Sequence, residues 1–241
     1  IRPHEVAQLL RRLHAQYPHL ARRVLIEARD CFGEAVAYGW INTNPAASVR
    51  HQPTKVARRR LTLDEWQRIY AWSQANQPPW ASRMILLALV SGQRRADLQK
   101  MRFEDVRDGY LYIQQQKKGA RVRLPLDLRL EAIGVSLGEA IEQCRDYAPA
   151  GEYLLRKSTG ERPVCPSLSA RFEDAREGVY GKHTGTGLPP CLHECRSLAE
   201  RLYRKQGIDT RTLLGHKRQS MTDIYNDDRG LSDGEWKTLE V

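Results

Sequence analysis

Apolar residues recur three and four positions apart along most of this chain, and only one stretch departs from that helical spacing. The pattern starts at Val6 and Leu10, and a second amphipathic run covers residues 20–40. Two short alternating runs, Tyr110–Gln115 and Arg121–Leu124, instead predict a pair of strands joined by a hairpin. The sequence therefore predicts a mainly α fold with a small antiparallel β-sheet, in the α+β class.

Two breaks in the pattern predict the domain organisation. Residues 51–61 form a basic segment with no acidic residue, which is either a solvated linker or a strap along a phosphate backbone, and the two are compatible. Thr62 and Glu65 then have the spacing of a helix-capping box. We expect a helical domain over 1–50, a basic linker over 51–61 and a second domain over 62–241. Further helices are predicted at 80–91, 94–101, 134–147, 166–178, 192–206 and 209–214.

Charge limits the classes of partner. The 241 residues include 39 Lys and Arg against 29 Asp and Glu, a net charge of +10 that suits a polyanion such as nucleic acid. The longest apolar run, Met84 to Val90, is far shorter than the ~20 residues that cross a membrane, so we predict no membrane partner. Five scattered cysteines predict a reducing, cytoplasmic context. The chain begins at Ile1, and we expect it to be a fragment of a longer protein.

Four short segments concentrate polar side chains of the kind that perform chemistry. They are SGQRRADL at 91–98, QKKG at 116–119, LHECRSL at 192–198, and LLGH at 213–216 followed nine residues later by Tyr225. In the third segment, helical spacing predicts a buried stripe of Cys195, Leu198, Ala199 and Leu202. The same spacing places His193 and Arg196 together on one face.

The order Arg, Lys, His-x-x-Arg, His, Tyr within one basic chain resembles that of the tyrosine recombinases, and most closely the lambda-type phage integrases. The matching stretches are SGQRRADL, QQQKKG, LHECRSLAERLYRKQG, LLGHK and YNDDRG, and they span about 59 to 241. Residues 1–50 resemble the end of the family's helical core-binding domain, truncated at its amino terminus. The family's amino-terminal arm-binding domain has no counterpart in this sequence. Cys195 stands where an apolar Leu is common in related integrases, and we expect a tolerated core replacement.

The resemblance implies a role for each matching residue. Tyr225 is the implied nucleophile, which forms a 3′-phosphotyrosyl link to DNA, and Arg94 and Arg196 bind the scissile phosphate. Lys117 is the implied general acid, with Lys118 as the open alternative, and His193 and His216 complete the site. No metal and no cofactor are implied. Residues expected to contact DNA more generally are Lys55, Arg58, Arg59, Arg60, Arg95 and Lys118.

The same resemblance implies partners and a setting. Double-stranded DNA at attachment or core sites is the expected substrate, bound by a homo-oligomer that is a tetramer on DNA. Accessory bending or excision factors are expected helpers, and a bacterial host cell, at the nucleoid, is the expected location. Related integrases exchange the segment after the tyrosine between protomers, so we expect residues 232–241 to form a docked tail.

Four alternatives remain open from the residues alone. Cys191, His193, Cys195 and His216 permit a zinc site, although the spacing lacks the second matched pair that structural zinc sites use. Asp223, Asp227, Asp228 and His216 permit a two-metal nuclease, although Asp227 and Asp228 are more simply part of a turn with a local ion pair. A non-catalytic DNA-binding or architectural protein and a type IB topoisomerase-like enzyme are the remaining two.

Overall fold

The computed structural model describes residues 1–53, 58–117, 119–147, 149–185 and 187–226. The chain divides into two compact units, Ile1–Ala57 and Arg58–Val241, and this division falls inside the segment 51–61. The predicted DNA contacts Lys55 and Lys118 and the predicted tail 232–241 lie outside the described residues.

The first unit is a pair of helices, α1 (Pro3–Gln16) and α2 (Pro18–Ala37). Each begins with proline, whose fixed φ suits the first turn and whose missing N–H is not needed there. Arg29 of α2 donates hydrogen bonds to the carbonyl oxygens of Ala46 and Val49, at 3.2 and 2.7 Å, and so fastens the segment after α2 onto the helix pair. The core of this unit is made of Val6, Leu10, Leu25, Ala46 and Val49.

The second unit is built around one apolar helix. Its helices are α3 (Leu63–Asn76), α4 (Pro79–Ser91), α5 (Arg95–Leu98), α6 (Leu137–Glu142), α7 (Cys165–Tyr180), α8 (Glu194–Lys205), α9 (Thr210–Leu213) and α10 (Gln219–Asp223). Helix α4 contains the longest apolar run of the sequence and is buried along almost its whole length. It packs against α3, α6, α7 and α8, so these helices enclose it. The end of α4 lies along α8, since the Val90 carbonyl accepts from the Tyr203 hydroxyl and the Gly92 carbonyl accepts from Arg196.

Two small antiparallel sheets complete the second unit within the described residues. Strands β1 (Val106–Arg107), β2 (Tyr110–Gln114) and β3 (Arg121–Pro125) form one sheet, and β4 (Arg129–Leu130) and β5 (Val135–Ser136) form the other. In the hairpin β2–β3, the pairs Leu111–Leu124 and Ile113–Val122 are buried, whereas Tyr112 and Arg123 face outward. This alternation points the hairpin's apolar face into the core and carries its turn, with Lys117, beyond the sheet.

The predicted fold class is confirmed, with differences at single elements. The capping box is present, since the Glu65 N–H donates to Thr62 Oγ1 at 3.1 Å and the Thr62 N–H donates to Glu65 Oε2 at 3.0 Å. The predicted helix over 134–147 is wrong in its extent, because Ser136 ends β5 and caps a helix that runs only to Glu142. None of the helices in the described ranges is both long and apolar enough to cross a membrane.

Candidate active site

The predicted site residues converge on one side of the second unit. A cavity of about 600 Å³ opens between the turn that joins α4 to α5, the β2–β3 hairpin and the start of α8. The charged and nucleophilic side chains on its wall are Arg94, Arg95, Asp97, Lys117, Cys191 and His193. Tyr225, two residues after α10, contacts the same group through the ring of His193. Residues 131 positions apart in the chain are thus brought together.

Helix α8 is enclosed far more completely than its sequence indicates. Cys195, Leu198 and Ala199 of the predicted stripe are buried, and Leu202 is half-buried. The polar and charged residues between them, Glu194, Arg196, Ser197 and Glu200, are buried as well. The helix therefore carries charge into the interior, where each charged group needs a partner.

Arg196 is held by the backbone of two loops. Only 1% of its surface is exposed, and its guanidinium donates to the carbonyl oxygens of Gly92 and Leu214, at 2.7 and 2.6 Å. Its Nε has no hydrogen-bond partner among the described residues. Burial, and then the charge of Arg94, lower the pKa of Arg196 to about 10, so the guanidinium remains charged at neutral pH.

His216 is oriented by partners on both ring nitrogens. Its Nε2 lies 3.2 Å from Nη2 of Arg196, and its Nδ1 lies 2.9 Å from Oγ1 of Thr222. Because a guanidinium can only donate, Nε2 accepts and Nδ1 carries the proton, which it donates to Thr222. The neutral ring stacks on Tyr225, with centroids 5.5 Å apart and planes at 27°.

Tyr225 is positioned through both its ring and its backbone. Its hydroxyl lies 3.4 Å from Nε2 of His193, and the guanidinium of Arg196 lies 5.7 Å from the ring centroid. The Tyr225 carbonyl accepts a hydrogen bond from the Ser197 hydroxyl at 2.8 Å, and its N–H donates to the Thr222 carbonyl at 2.9 Å. The phenol thus lies against a histidine and an arginine at once.

His193 is held neutral by its surroundings. Loss of hydration around the ring, followed by the charges of Arg196, Arg94, Arg60 and Lys117, lowers its pKa to about 4. The residue as a whole is exposed at the mouth of the cavity, so we attribute the lowered pKa mainly to the neighbouring cations. A neutral imidazole at neutral pH can accept a proton from the tyrosine.

Two buried glutamines fix Arg94, and the sequence analysis did not find them. Arg94 donates to Oε1 of Gln115 at 2.9 Å. Gln115 in turn donates through Nε2 to Gln93 at 2.8 Å and to the Leu214 carbonyl at 3.1 Å. Gln93 and Gln115 both fall inside the motifs quoted above, but nothing in their spacing separates them from the solvent-facing Gln116.

Asp97 is a third residue that the sequence analysis did not single out. It is buried, and its Oδ1 accepts a hydrogen bond from the Gln116 N–H at 2.8 Å, which anchors the hairpin turn just before Lys117. Its Oδ2 has no hydrogen-bond partner among the described residues. Lys117 is exposed on the cavity wall, and Arg95, also exposed, donates to the Ser169 hydroxyl.

The described arginines of the basic segment are engaged within the second unit. Arg58 donates to the Pro189 carbonyl at 2.9 Å, and Arg59 forms an ion pair with Glu65. The position of Arg60 differs from the predicted surface contact with DNA, because the residue is only 3% exposed and pairs with the buried Glu194. A carboxylate buried in α8 requires a cation, and Arg60 provides it.

The described residues do not assemble the metal sites that the sequence left open. Within those ranges, no group of three or more His, Cys, Asp and Glu side chains could hold a metal ion. Cys195 is enclosed in the core, where burial raises the pKa of its thiol well above the ordinary value, and His216 directs Nε2 at Arg196. Asp223 accepts from Gln219 and Arg204. Asp227 and Asp228 lie outside the described residues.

Comparison with protein families and curated proteins identifies close relatives. The model of the Phage integrase family matches residues 59–230. The chain is 41% identical over 236 residues to Prophage integrase IntE of Escherichia coli K12, covering 94% of this chain and 62% of that protein. It is 38% identical over 214 residues to the Integrase of Escherichia phage lambda, covering 88% of this chain and 58% of that protein. The chain thus spans about three fifths of the length of these relatives.

Solved structures of the same kind of protein share the fold. A lambda integrase (75–356) dimer bound to a COC′ core site matches with a TM-score of 0.90 and 36% identity, covering all of this chain and 84% of that one. A lambda integrase tetramer bound to a Holliday junction matches with a TM-score of 0.89 and 35% identity, covering all of this chain and 68% of that one.

Proposed function

Because the chain belongs to the phage integrase family of tyrosine recombinases, we propose that it cleaves and rejoins DNA at specific sites through a 3′-phosphotyrosyl intermediate. The observation that carries this proposal is the position of Tyr225, whose hydroxyl lies 3.4 Å from a neutral histidine and whose ring lies against Arg196 and His216. A tyrosine hydroxyl has a reference pKa of about 10 and needs such an environment to act as a nucleophile near neutral pH.

In the proposed first step, the Tyr225 oxygen attacks the scissile phosphorus while its proton passes to Nε2 of His193. A bond forms between the tyrosine oxygen and phosphorus, and the bond from phosphorus to the 5′ oxygen of the next nucleotide breaks. Lys117 protonates that leaving oxygen, which departs as a 5′-hydroxyl. The phosphodiester becomes a phosphotyrosyl ester, so the reverse attack by a 5′-hydroxyl rejoins a strand without a nucleotide cofactor.

The two arginines stabilise the charge that develops on phosphorus. Arg94 and Arg196 supply guanidinium groups to the non-bridging oxygens. Nε of Arg196, which has no hydrogen-bond partner in the described part of the chain, is the donor that we assign to this contact. Gly92, Leu214 and Gln115 hold these cations in place before a phosphate arrives. Donors that need no reorganisation give large transition-state stabilisation. His216 then acts by fixing Arg196 rather than by moving a proton.

The proposed substrate is double-stranded DNA containing attachment or core sites, bound by several copies of the chain that form a tetramer. This extends to the present chain what the lambda integrase structures contain, namely a dimer on a core site and a tetramer on a Holliday junction. Accessory bending or excision factors, and action at the nucleoid of a bacterial host cell, belong to the same proposal. The relatives come from Escherichia coli and its phages.

A covalent-trapping assay in EDTA tests the proposal. The substrate is nicked DNA that carries the junction sequence flanking the parent element, and the protein is compared with Tyr225→Phe. We expect a detergent-resistant protein–DNA adduct with the unmodified chain and none with Tyr225→Phe. Tyr180→Phe removes the hydroxyl of an exposed tyrosine at the end of α7 and should form the adduct at the parental rate.

Other outcomes point to the alternative functions. Salt-sensitive DNA binding by both proteins without an adduct would favour a non-catalytic DNA-binding protein, provided that the chain fused to an arm-binding domain of the kind expected from the family also forms none. Cleavage that disappears in EDTA and leaves no protein on the DNA would favour a metal-dependent nuclease. Relaxation of supercoiled DNA by a monomer would favour a topoisomerase-like enzyme.

A further inference from the structure

Arg60 joins three parts of the second unit in its interior. Its Nη1 lies 2.9 Å from Oε2 of Glu194, and the side chains of this ion pair are only 4% and 6% exposed. Its Nη2 donates a hydrogen bond to the backbone carbonyl of Ile224. One guanidinium therefore links the start of the unit to the first turn of α8 and to the segment that follows α10.

Two partners of Arg60 in the described residues, Glu194 and Ile224, are direct neighbours of two proposed catalytic residues. Glu194 follows His193 in the chain, and Ile224 precedes Tyr225. Only one further side chain in the described residues, Ser197, is seen to donate to the backbone at this point, to the Tyr225 carbonyl at 2.8 Å. Because α10 is a short helix of five residues, these two side-chain hydrogen bonds add to the one from the Tyr225 N–H to the Thr222 carbonyl in holding the tyrosine's backbone.

We infer that Arg60 is a positioning residue for Tyr225, and that its bridge from Glu194 to the Ile224 carbonyl sets the approach of the tyrosine hydroxyl to His193. A guanidinium suits this task because its donors lie in a rigid plane and reach two acceptors at fixed angles. The inference rests on the proposed function, which makes Tyr225 the nucleophile. It assigns to Arg60 an internal role in place of the DNA contact predicted from the sequence.

The ion pair has a second effect on the same group. The charge of Arg60 is among those that lower the pKa of His193, so Arg60 also favours the neutral imidazole that accepts the tyrosine proton. Buried ion pairs pay a large desolvation cost and often add little to net stability. A buried ion pair does fix the positions of its two side chains, and here those side chains lie next to the reacting residues.

The test compares variants chosen so that the protein can still fold. Arg60→Gln alone would leave Glu194 buried without its cation, so the main variant is the double substitution Arg60→Gln with Glu194→Gln, which removes both charges. Arg60→Lys is the conservative variant that keeps the charge. Arg102→Gln is the matched control, because Arg102 is also an ion-paired arginine, bound to Glu104 and Glu152, but its side chain is 40% exposed.

Each protein is assayed for adduct formation on ordinary nicked DNA and on DNA with a sulfur atom in place of the 5′ bridging oxygen. A thiolate leaves without being protonated, so the sulfur substrate restores cleavage by a variant that lacks the general acid, such as Lys117→Ala. We expect the double variant to bind DNA within about twofold of the parent and to cleave both substrates at least about tenfold more slowly. Arg60→Lys should recover part of the rate. Parental cleavage by the double variant, or its full rescue by the sulfur substrate, would overturn the inference.

A second measurement does not depend on cleavage. Fluorotyrosine placed at position 225 reports the stacked ring of His216 through its ¹⁹F chemical shift, and unfolding by urea reports whether each variant is folded. In the double variant we expect the resonance to move towards that of a solvent-exposed tyrosine while the protein stays folded; Arg102→Gln should leave it in place. An unchanged resonance in the double variant overturns the inference. A resonance that moves in a protein whose parent forms no adduct supports the positioning role and refutes the proposed reaction.

Discussion

At the scale of single residues, the site is organised by hydrogen bonds that already occupy its cations. Arg196 gives donors to two backbone carbonyls, and His216 accepts from the same guanidinium while donating to Thr222. Arg94 is held by Gln115. The two cations proposed to bind the phosphate therefore have fixed positions, and their mutual repulsion is already overcome in the folded protein before the reaction begins.

In this arrangement His193 contributes to the pH dependence of the protein's stability. Its pKa is about 4 in the folded chain, below the unfolded value of about 6.5. Between these values the unfolded state binds more protons, so His193 lowers the free energy of unfolding as the pH falls from 6.5 to 4. We expect His193→Asn to lose less stability than the parent over that interval, measured by urea unfolding. Parallel pH curves for the two proteins would contradict the lowered pKa.

At the scale of elements, the turn after α9 must pass very close to the glutamine that holds Arg94. Gly215 has a left-handed backbone with φ of 64°, and a Cβ at this position would lie 2.8 Å from Nε2 of Gln115. Such a distance is too short for any contact of this kind, so Gln115 would have to move. The turn therefore limits where Gln115, the partner of Arg94, can lie.

Gly215→Ala should consequently reduce cleavage more than its backbone strain explains. We expect the rate of adduct formation to fall at least about tenfold, because Arg94 loses its partner. Gly207→Ala is the matched control, since Gly207 also has a positive φ, of 78°, but has nothing within 4 Å of the added Cβ. Both substitutions should lower the free energy of unfolding by ~1–3 kcal/mol through strain, measured by urea titration. Equal cleavage rates for the two variants would refute the link to Arg94.

The elements also show what the sequence can predict and what it cannot. Helices α1–α4 and the β2–β3 hairpin follow from periodicity, because each is long enough to repeat its pattern. Strands β1, β4 and β5 have two residues each, too few for an alternation to be visible. The motif residues could be placed in one site only through the family resemblance. The pairing of Arg60 with Glu194, 134 positions away, depends on tertiary packing that no local pattern records.

At the scale of the whole molecule, the net charge of +10 does not say which cations can reach a phosphate. The sequence predicts that every arginine of the basic segment contacts DNA. In the structure, Arg59 and Arg60 form ion pairs within their own unit, and Arg58 donates to a backbone carbonyl. Arg95, by contrast, is exposed on the cavity wall. Counterion release on DNA depends only on the cations that reach phosphates.

The salt dependence of DNA binding separates these two kinds of arginine. The logarithm of the binding constant should fall linearly with the logarithm of salt concentration between ~50 and 200 mM, with a slope set by the number of phosphate contacts. Arg95→Gln should make that slope shallower by about 1, as expected for one lost phosphate contact. The double substitution Arg60→Gln with Glu194→Gln should leave the slope unchanged, because Arg60 is buried against Glu194. Fluorescence anisotropy with labelled duplex DNA measures both. If the double variant flattens the slope as Arg95→Gln does, Arg60 leaves its buried site to bind DNA.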